Sequence, residues 1–131
     1  MTAQAMPQEQ PAVRVTALPA DANVYGDIFG GWLMSQMDLA ASSVASRHAA
    51  GRAVTIAVDG MAFHRPVFVG DEVSVFARLI KVGRTSMRVE VEAWARDRHS
   101  DDANKVAQAV FAFVAVGQDR RPRPVRALAS S

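Results

Sequence analysis

One segment of this chain has helical periodicity, and nearly everything after it has the alternation of β-strands. From Gly31 to about Ala49, apolar side chains recur at every third or fourth position, as on one face of a helix. Val73 to Gly83 and Met87 to Ala93 alternate apolar with polar side chains, which is typical of half-buried antiparallel strands. Because one helix covers only one face of a sheet, we expect an α+β domain in which the sheet curls around a single central helix.

The other segments predict a β-α-β-β-β-β order. Val13 to Ala17 is a short first strand, and Ala53 to Val58 is a β-branched run that follows the helix. Gly51 is expected to end the helix at the position where glycine is favoured. A turn around Arg65-Pro66 follows the β-branched run. Lys105 to Val116 is apolar on both faces, so it should lie between two other strands.

Length and composition limit the kinds of protein this chain can be. At 131 residues it is long enough for one core, so 1–131 is expected to be a single domain with loose ends at about 1–11 and 118–131. The chain has no cysteine, which excludes a thiol nucleophile, a disulfide framework and a thiolate metal site. No metal site is expected either from the three widely spaced histidines, His48, His64 and His99.

Charge and hydropathy argue against a membrane or nucleic-acid protein. No long apolar run is free of polar side chains, and the N-terminus has neither a basic region nor an apolar core, so a cytoplasmic protein is expected. The net charge is only +2, with scattered basic residues. The exception is a group of four arginines near the C-terminus: Arg120, Arg121, Arg123 and Arg126. This group fits either a solvated end or a contact with a partner subunit or an anionic ligand.

The loop and helix from Asn23 to Asp38 contain the residues best suited to chemistry. Gly30 and Gly31 stand where the helix begins, and the first N–H groups of a helix are able to bind an oxygen that carries negative charge. Asp38 is the only charged residue between Asp27 and Arg47. Spacing alone leaves open whether it lies on a solvated face, but a lone acid on a largely buried helix is costly unless it is paired or functional.

The same segment resembles a family signature. Asn-x-x-Gly-Asp-Ile-Phe-Gly-Gly-Trp-Leu-Met-Ser-Gln-Met-Asp is similar to the opening loop and central helix of hotdog-fold acyl-CoA thioesterases. The match is to the branch with the small bacterial acyl-CoA hydrolases and the animal cytosolic long-chain enzymes. A hotdog fold, a curved antiparallel sheet around one long helix, has the predicted element order. Tyr25 departs from the small or polar residues usual there, which leaves the acyl-chain length open.

The resemblance implies roles for four residues of this segment. Asp38 would act as general base on water, or as a nucleophile, in hydrolysis of a fatty acyl-CoA to free acid and CoA. Asn23, which in isolation indicates only a turn, would position the water or the thioester. Backbone N–H groups of Gly30 or Gly31 would polarise the carbonyl, although close packing also explains both glycines. No metal or bound cofactor is implied, since CoA belongs to the substrate and product.

The resemblance also implies how CoA is recognised and how the chain assembles. The turn from Lys81 to Ser86 resembles a segment that contacts the nucleotide of CoA, and cationic side chains suit its phosphates. The expected CoA-binding residues are Lys81, Gly83, Arg84, Thr85, Ser86 and Arg65. The chain is expected to form a homodimer with its sites at the interface, assembling further into a tetramer or hexamer. Asn23 and Asp38 would then come from different protomers.

Two other functions remain open from the sequence. One is a hotdog module that binds acyl-CoA as a sensor without turnover, which would need the pocket but not an acid at position 38. The other is a hotdog dehydratase, whose chemistry generally uses a histidine with an acid. Histidine is a residue type suited to acid–base catalysis, but His64 lies at a turn between strands, in no motif of that kind.

Overall fold

Five strands form one antiparallel sheet in the computed structural model, which describes residues 5–128. The elements are β1 (Val13–Thr16), a turn of 3-10 helix (Pro19–Asp21), α1 (Gly30–Ala49), β2 (Ala53–Phe63), β3 (Glu72–Val82), β4 (Ser86–Arg96) and β5 (Ala103–Ala115). The predicted β-α-β-β-β-β order and the hotdog arrangement of a curved sheet around one long helix are confirmed. The strand order is β1-β3-β4-β5-β2, so β5 lies between two strands, as its apolar faces predict.

The helix α1 packs on one face of the sheet and contacts all five strands. Small side chains at Ala40, Ala41 and Ala45 are fully buried, which allows the helix axis to approach the sheet closely. Leu33 and Met37, in the preceding turns of α1, are buried as well. The sheet contributes the larger part of the core, whose fully buried side chains include Val73, Val75, Met87, Val89, Val91, Phe111 and Phe113.

The opposite face of the sheet is polar and explains the alternation in β3 and β4. Two ion pairs lie there. Arg78 of β3 pairs with Glu90 of the neighbouring β4 at 2.6 Å, and Arg88 of β4 pairs across β5 with Asp59 of β2 at 2.7 Å. Both pairs are largely solvent-exposed, so they contribute little to the free energy of unfolding. Their main effect is to keep this face in water and the apolar face against α1.

Strand β2 is longer than the sequence indicates and lies at the edge of the sheet. The β-branched run predicts a strand from Ala53 to Val58, whereas the structure continues it through Gly60 to Phe63. Gly60 has a φ of +60° and lies where the register with β5 shifts, so it marks a bulge within the strand rather than its end. As an edge strand, β2 leaves apolar side chains in solvent at Val54, Ile56 and Phe63.

The end of α1 also differs from the expectation. Ala50, with a φ of 52°, is the residue that leaves the helix in the left-handed conformation, whereas Gly51 does not have a positive φ. A Cβ atom at position 51 would lie 2.6 Å from Nη2 of Arg123, so glycine leaves room for this guanidinium, and its backbone conformation does not call for glycine.

Part of the C-terminal stretch that the sequence indicates as loose is packed against the domain. Residues 122–126 form hydrogen bonds to β5, to the end of α1 and to the turn between β3 and β4. The high proline and arginine content of this stretch predicted solvent exposure. Composition does not indicate which groups the Arg123 side chain contacts. No helix in the described part of the chain is both long and apolar enough to cross a membrane.

Candidate functional site

Asn23 shapes the loop that leads into α1. Its side-chain oxygen accepts hydrogen bonds from the backbone N–H groups of Tyr25 at 2.8 Å and Asp27 at 3.2 Å. Its own backbone N–H donates to the carbonyl of Asp27 at 2.6 Å. Gly26, with a φ of +89°, completes the turn. The turn role is therefore present, and within residues 5–128 no group accepts a hydrogen bond from the Asn23 side-chain NH2, which leaves that donor available to a ligand.

The first turn of α1 presents two backbone donors. Phe29 precedes the helix without a side-chain cap, and its carbonyl accepts from the N–H groups of Trp32 and Leu33. Phe29 itself donates to the carbonyl of Asp21 at 2.9 Å. In the described part of the chain, the N–H groups of Gly30 and Gly31 have no such acceptor. Both glycines are exposed residues at the positive end of the helix dipole, so their N–H groups are suited to an oxyanion.

The two glycines have different surroundings. A Cβ atom on Gly30 would lie 3.3 Å from Cζ of the Phe63 ring, so this position also serves close packing of α1 on β2. A Cβ atom on Gly31 would meet nothing within 4 Å in the same chain. Packing within the chain therefore explains glycine at position 30 but not at position 31.

Asp38 is held by a residue that the sequence did not single out. The hydroxyl of Thr55, on β2, donates a hydrogen bond of 2.6 Å to Oδ1 of Asp38. No salt bridge neutralises Asp38 within residues 5–128, and its helical neighbours Met34, Ser35, Ala41 and Ser42 carry no charge. The carboxylate is thus fixed through one oxygen while the other oxygen has no protein donor in the described residues. Nothing in the local sequence distinguishes Thr55 from other β-branched strand residues.

A cleft of about 340 Å³ lies between the opening loop and the end of β2. Ile28, Leu33 and Val67 form its apolar floor, and all three are buried. The rim is more polar and brings together Asn23, Asp27, Gly30, His64 and Arg65. Asp38 does not line this cleft. Within one chain, this cleft therefore brings the predicted Asn23 and Gly30 together, while the predicted acid, Asp38, lies outside it.

Most of the predicted CoA-binding residues lie together at the β3–β4 turn. Lys81, Gly83 and Ser86 line a cleft of about 290 Å³ beside Ile56 of β2, and Arg84 and Thr85 complete the turn. Glycine at position 83 leaves room for the Ser86 side chain, because a Cβ atom there would lie 2.6 Å from Oγ of Ser86.

Arg65 is separated from this turn within one chain. Val54, near the start of β2, pairs with Val114, which pairs with Ser86 at the turn. At the other end of β2, Phe63 pairs with Ala107, far along β5. Arg65 follows Phe63, so it lies at the opposite end of β2 from the turn. The six predicted CoA-binding residues therefore do not form one surface in a single protomer.

His64 has no partner that would support an acid–base role. Its backbone N–H donates to the carbonyl of Val106 at 2.7 Å, and its ring makes no hydrogen bond to a carboxylate in the described residues. Across residues 5–128, no group of three acidic or histidine side chains is arranged to hold a metal ion.

Comparison with known proteins gives consistent matches. The family model of the thioesterase superfamily matches residues 25–101. An uncharacterized acyl-CoA thioester hydrolase of Zymomonas mobilis is 55% identical over 116 residues, covering 88% of this chain and 78% of that protein. The acyl-CoA thioester hydrolase YciA of Escherichia coli K12 is 44% identical over 125 residues, covering 93% of this chain and 95% of its own length.

Solved structures match over the same range. The hexameric thioesterase y2039 from Yersinia pestis has a TM-score of 0.87 and 44% identity, covering 93% of this chain and 99% of its own. HI0827, a hexameric broad specificity acyl-coenzyme A thioesterase solved as an aspartate-to-alanine variant, has a TM-score of 0.85 and 42% identity, covering 88% and 86%. An acyl-CoA hydrolase from Staphylococcus aureus, solved with butyryl coenzyme A and coenzyme A, has a TM-score of 0.82 and 29% identity, covering 88% and 70%.

Proposed function

The chain belongs to the thioesterase superfamily, and from that membership we propose that it hydrolyses acyl-CoA to a free acid and CoA, with Asp38 activating water. The acyl-CoA thioester hydrolase activity follows from relatives that match almost the whole chain. The roles of individual residues rest on geometry. The assignment of these roles is supported by two contacts between α1 and β2: Gly30 lies against Phe63, and Asp38 accepts a hydrogen bond from Thr55.

These two contacts fix the relation between the predicted acid and the predicted oxyanion donors. α1 and β2 run in opposite directions, so the start of the helix lies at the end of the strand. β2 is an edge strand with exposed apolar side chains, which is an arrangement that favours pairing with a second copy. If the two β2 strands pair antiparallel about a twofold axis, the Thr55 end of one strand lies opposite the Phe63 end of the other.

The twofold arrangement completes the site from two protomers. Asp38 of one protomer, held by its own Thr55, faces the opening loop of the partner with its Asn23 and its Gly30 and Gly31 donors. The absence of a side chain on Gly31, which packing in one chain does not explain, leaves room at this junction. Each dimer then has two equivalent sites, and neither site is complete in a single chain.

The chemistry needs one proton acceptor and one oxyanion site. The unpaired oxygen of Asp38 takes a proton from water as the water oxygen attacks the thioester carbon. Negative charge develops on the carbonyl oxygen, where N–H groups of the partner's Gly30 and Gly31 stabilise it. Collapse of the tetrahedral intermediate breaks the C–S bond, and the CoA thiolate receives the proton that Asp38 took from water, which regenerates the carboxylate. Direct attack by the carboxylate, forming an anhydride that water then cleaves, uses the same groups.

Recognition of CoA is shared in the same way. The β3–β4 turn presents Lys81 and Arg84 to the phosphates, which are suited to charge-assisted hydrogen bonds. Arg65 lies at the far end of β2, so the twofold axis brings the partner's Arg65 toward this turn. The six CoA-binding residues then form one composite surface in the dimer. Two of the solved structures that this chain resembles are hexameric, which favours further assembly of dimers into a hexamer.

Release of thiol from acyl-CoA tests the function directly. Purified protein is incubated with a panel of acyl-CoAs from short to long chains, and free CoA is measured with a thiol reagent. Turnover by the wild type that falls in Asp38→Asn, but not in Asp101→Asn on an exposed loop, supports the assignment. Binding of acyl-CoA without any thiol release would instead indicate a sensor, and turnover only of hydroxyacyl thioesters to unsaturated ones would indicate a dehydratase.

A further inference from the structure

The C-terminal strap, residues 122–126, is tied to the end of the central helix by Arg123. The Arg123 guanidinium donates through Nη2 to the carbonyl of Ala49 at 2.7 Å and through Nε to the carbonyl of Val116 at 3.2 Å. Its backbone N–H donates to the carbonyl of Ala115 at 2.9 Å. Ala49 is the last residue of α1, and a cation is favourable beside the carbonyls that end a helix. One half-buried side chain thus joins the strap to both α1 and the end of β5.

The same strap holds the β3–β4 turn. The backbone N–H of Val125 donates to the carbonyl of Arg84 at 2.9 Å. On the other side of the turn, the N–H of Ala115 donates to the carbonyl of Thr85 at 2.9 Å. The two residues at the tip are therefore fixed by donors that lie outside the hairpin, and the strap residue Arg126 follows directly after Val125.

A second contact fixes the far end of the strap. Nε2 of His48, in the last turn of α1, lies 2.9 Å from the carbonyl oxygen of Arg126 and donates to it in the tautomer with a proton on Nε2. The strap is thus bound to α1 on both sides of Val125, at Arg123 and at Arg126. This explains why its backbone can support an exposed turn that has few contacts of its own.

We propose that Arg123 is a positioning residue for CoA recognition. Through the strap it fixes the backbone of the turn that presents Arg84, and it sets Arg126 beside that turn as a further cation for the phosphates. A preformed turn loses less conformational entropy when it binds a phosphate, so its fixation raises affinity. This inference rests on the proposed role of the β3–β4 turn in CoA binding. It concerns the nucleotide part of CoA only, because the strap makes no hydrogen bond to Asp38, Thr55 or the opening loop in the described residues.

Gly51 provides an independent way to disturb the strap. A methyl group on Gly51 would lie 2.6 Å from Nη2 of Arg123, so Gly51→Ala should push the guanidinium away from the Ala49 carbonyl without changing a charge. Gly51 does not have a positive φ, so alanine introduces no backbone strain. Arg121 is the matched control, because it is an exposed arginine of the same tail whose side chain makes no hydrogen bond in the described part of the chain.

The test compares substrates with and without the nucleotide. Arg123→Ala and Gly51→Ala should each raise KM for acyl-CoA about tenfold, as for the loss of a charge-assisted contact, and leave kcat and the KM for acyl-pantetheine unchanged. Arg121→Ala should match the wild type. The double variant Arg123→Ala/Gly51→Ala should be no worse than Arg123→Ala alone, since both changes remove the same contact.

Calorimetric titration with CoA and with pantetheine measures binding affinity independently of catalysis. The wild type should bind CoA more tightly than pantetheine, and Arg123→Ala should lose most of that difference. An equal loss of affinity for CoA and pantetheine in Arg123→Ala, or no loss for either, would overturn the inference. A wild-type protein that does not bind CoA more tightly than pantetheine would also overturn the role of the turn. Failure of thioester hydrolysis alone would affect only the proposed reaction. If Arg123→Ala does not fold, Gly51→Ala decides the outcome.

Discussion

The hydroxyl of Thr55 donates a 2.6 Å hydrogen bond to Oδ1 of Asp38, and this contact joins the edge strand β2 to the central helix. It holds the carboxylate beside β2, the edge strand on which we propose that a second copy pairs. It also leaves the other carboxylate oxygen for a water molecule. The predicted acid is therefore a fixed group beside an edge strand, as the proposed site shared by two protomers requires.

Replacing Asp38 by asparagine should abolish the proton acceptor while keeping the size of the side chain. We expect Asp38→Asn to lower kcat by about two to four decades, which is the usual contribution of a positioned acid or base. The melting temperature should stay near the wild-type value, because Asp38 has no salt bridge within residues 5–128 to lose. Steady-state thiol release and calorimetry measure both effects. A folded Asp38→Asn protein with near wild-type turnover would exclude this mechanism.

Thr55 should act through Asp38 and not through substrate binding. Thr55→Val keeps the branched shape but removes the donor, so kcat should fall by about one to two decades with KM little changed, as for loss of a hydrogen bond to a charged group. Thr55→Ser keeps the hydroxyl and should retain most of the activity. In an Asp38→Asn background, Thr55→Val should cause little further loss. A similar loss from valine and serine would show that packing of β2, rather than the hydrogen bond, is what matters.

Much of the fold could be predicted from local pattern. The helix from Gly31 to Ala49 and the alternation in β3 and β4 each repeat over enough residues to be recognised. The end of β2 could not be predicted, because Gly60 normally indicates a break and only the pairing with β5 turns it into a bulge. Gly51 was expected to supply the left-handed residue after the helix, whereas Ala50 has that conformation.

The residues of the proposed site could be anticipated from the sequence only where a motif contains them. Asn23, Gly30, Gly31 and Asp38 lie within one continuous signature, whereas Thr55 contacts Asp38 from 17 positions away in the chain. Arg123 reaches Ala49 from 74 positions away. Contacts of this kind depend on tertiary packing, and a threonine in a strand or an arginine in a proline-rich tail carries no local signal for them.

Activity should depend on two protomers. Asn23→Ala and Asp38→Asn should each be inactive as homodimers, because every site lacks one of its groups. When the two variants exchange subunits, one of the two sites of each mixed dimer regains both residues. At equal mixing about half of the dimers are mixed, so about a quarter of wild-type activity should return. Mass spectrometry of an isotope-labelled subunit confirms exchange. Confirmed exchange without recovery would place both residues in the same protomer.

The last prediction concerns Arg84 and the nucleotide part of CoA. Arg84 is exposed at the tip of the β3–β4 turn, and its backbone is fixed by Val125, so its side chain can reach a phosphate without disturbing the core. Losing one exposed charge-assisted contact should cost on the order of 1–3 kcal/mol. The phosphates lie far from the scissile bond and are bound equally in the ground and transition states, so the loss should appear in KM rather than in kcat.

Salt and substrate truncation distinguish this role from a structural one. Arg84→Ala should raise KM for acyl-CoA more at low ionic strength than at high, because salt screens the contact that the wild type makes. It should scarcely change KM for acyl-pantetheine, which lacks the nucleotide. Arg78→Ala is the matched control, since Arg78 is an exposed arginine of β3 whose guanidinium pairs with Glu90 on the polar face of the sheet. An equal loss on both substrates would mean that Arg84 supports the turn and does not bind a phosphate.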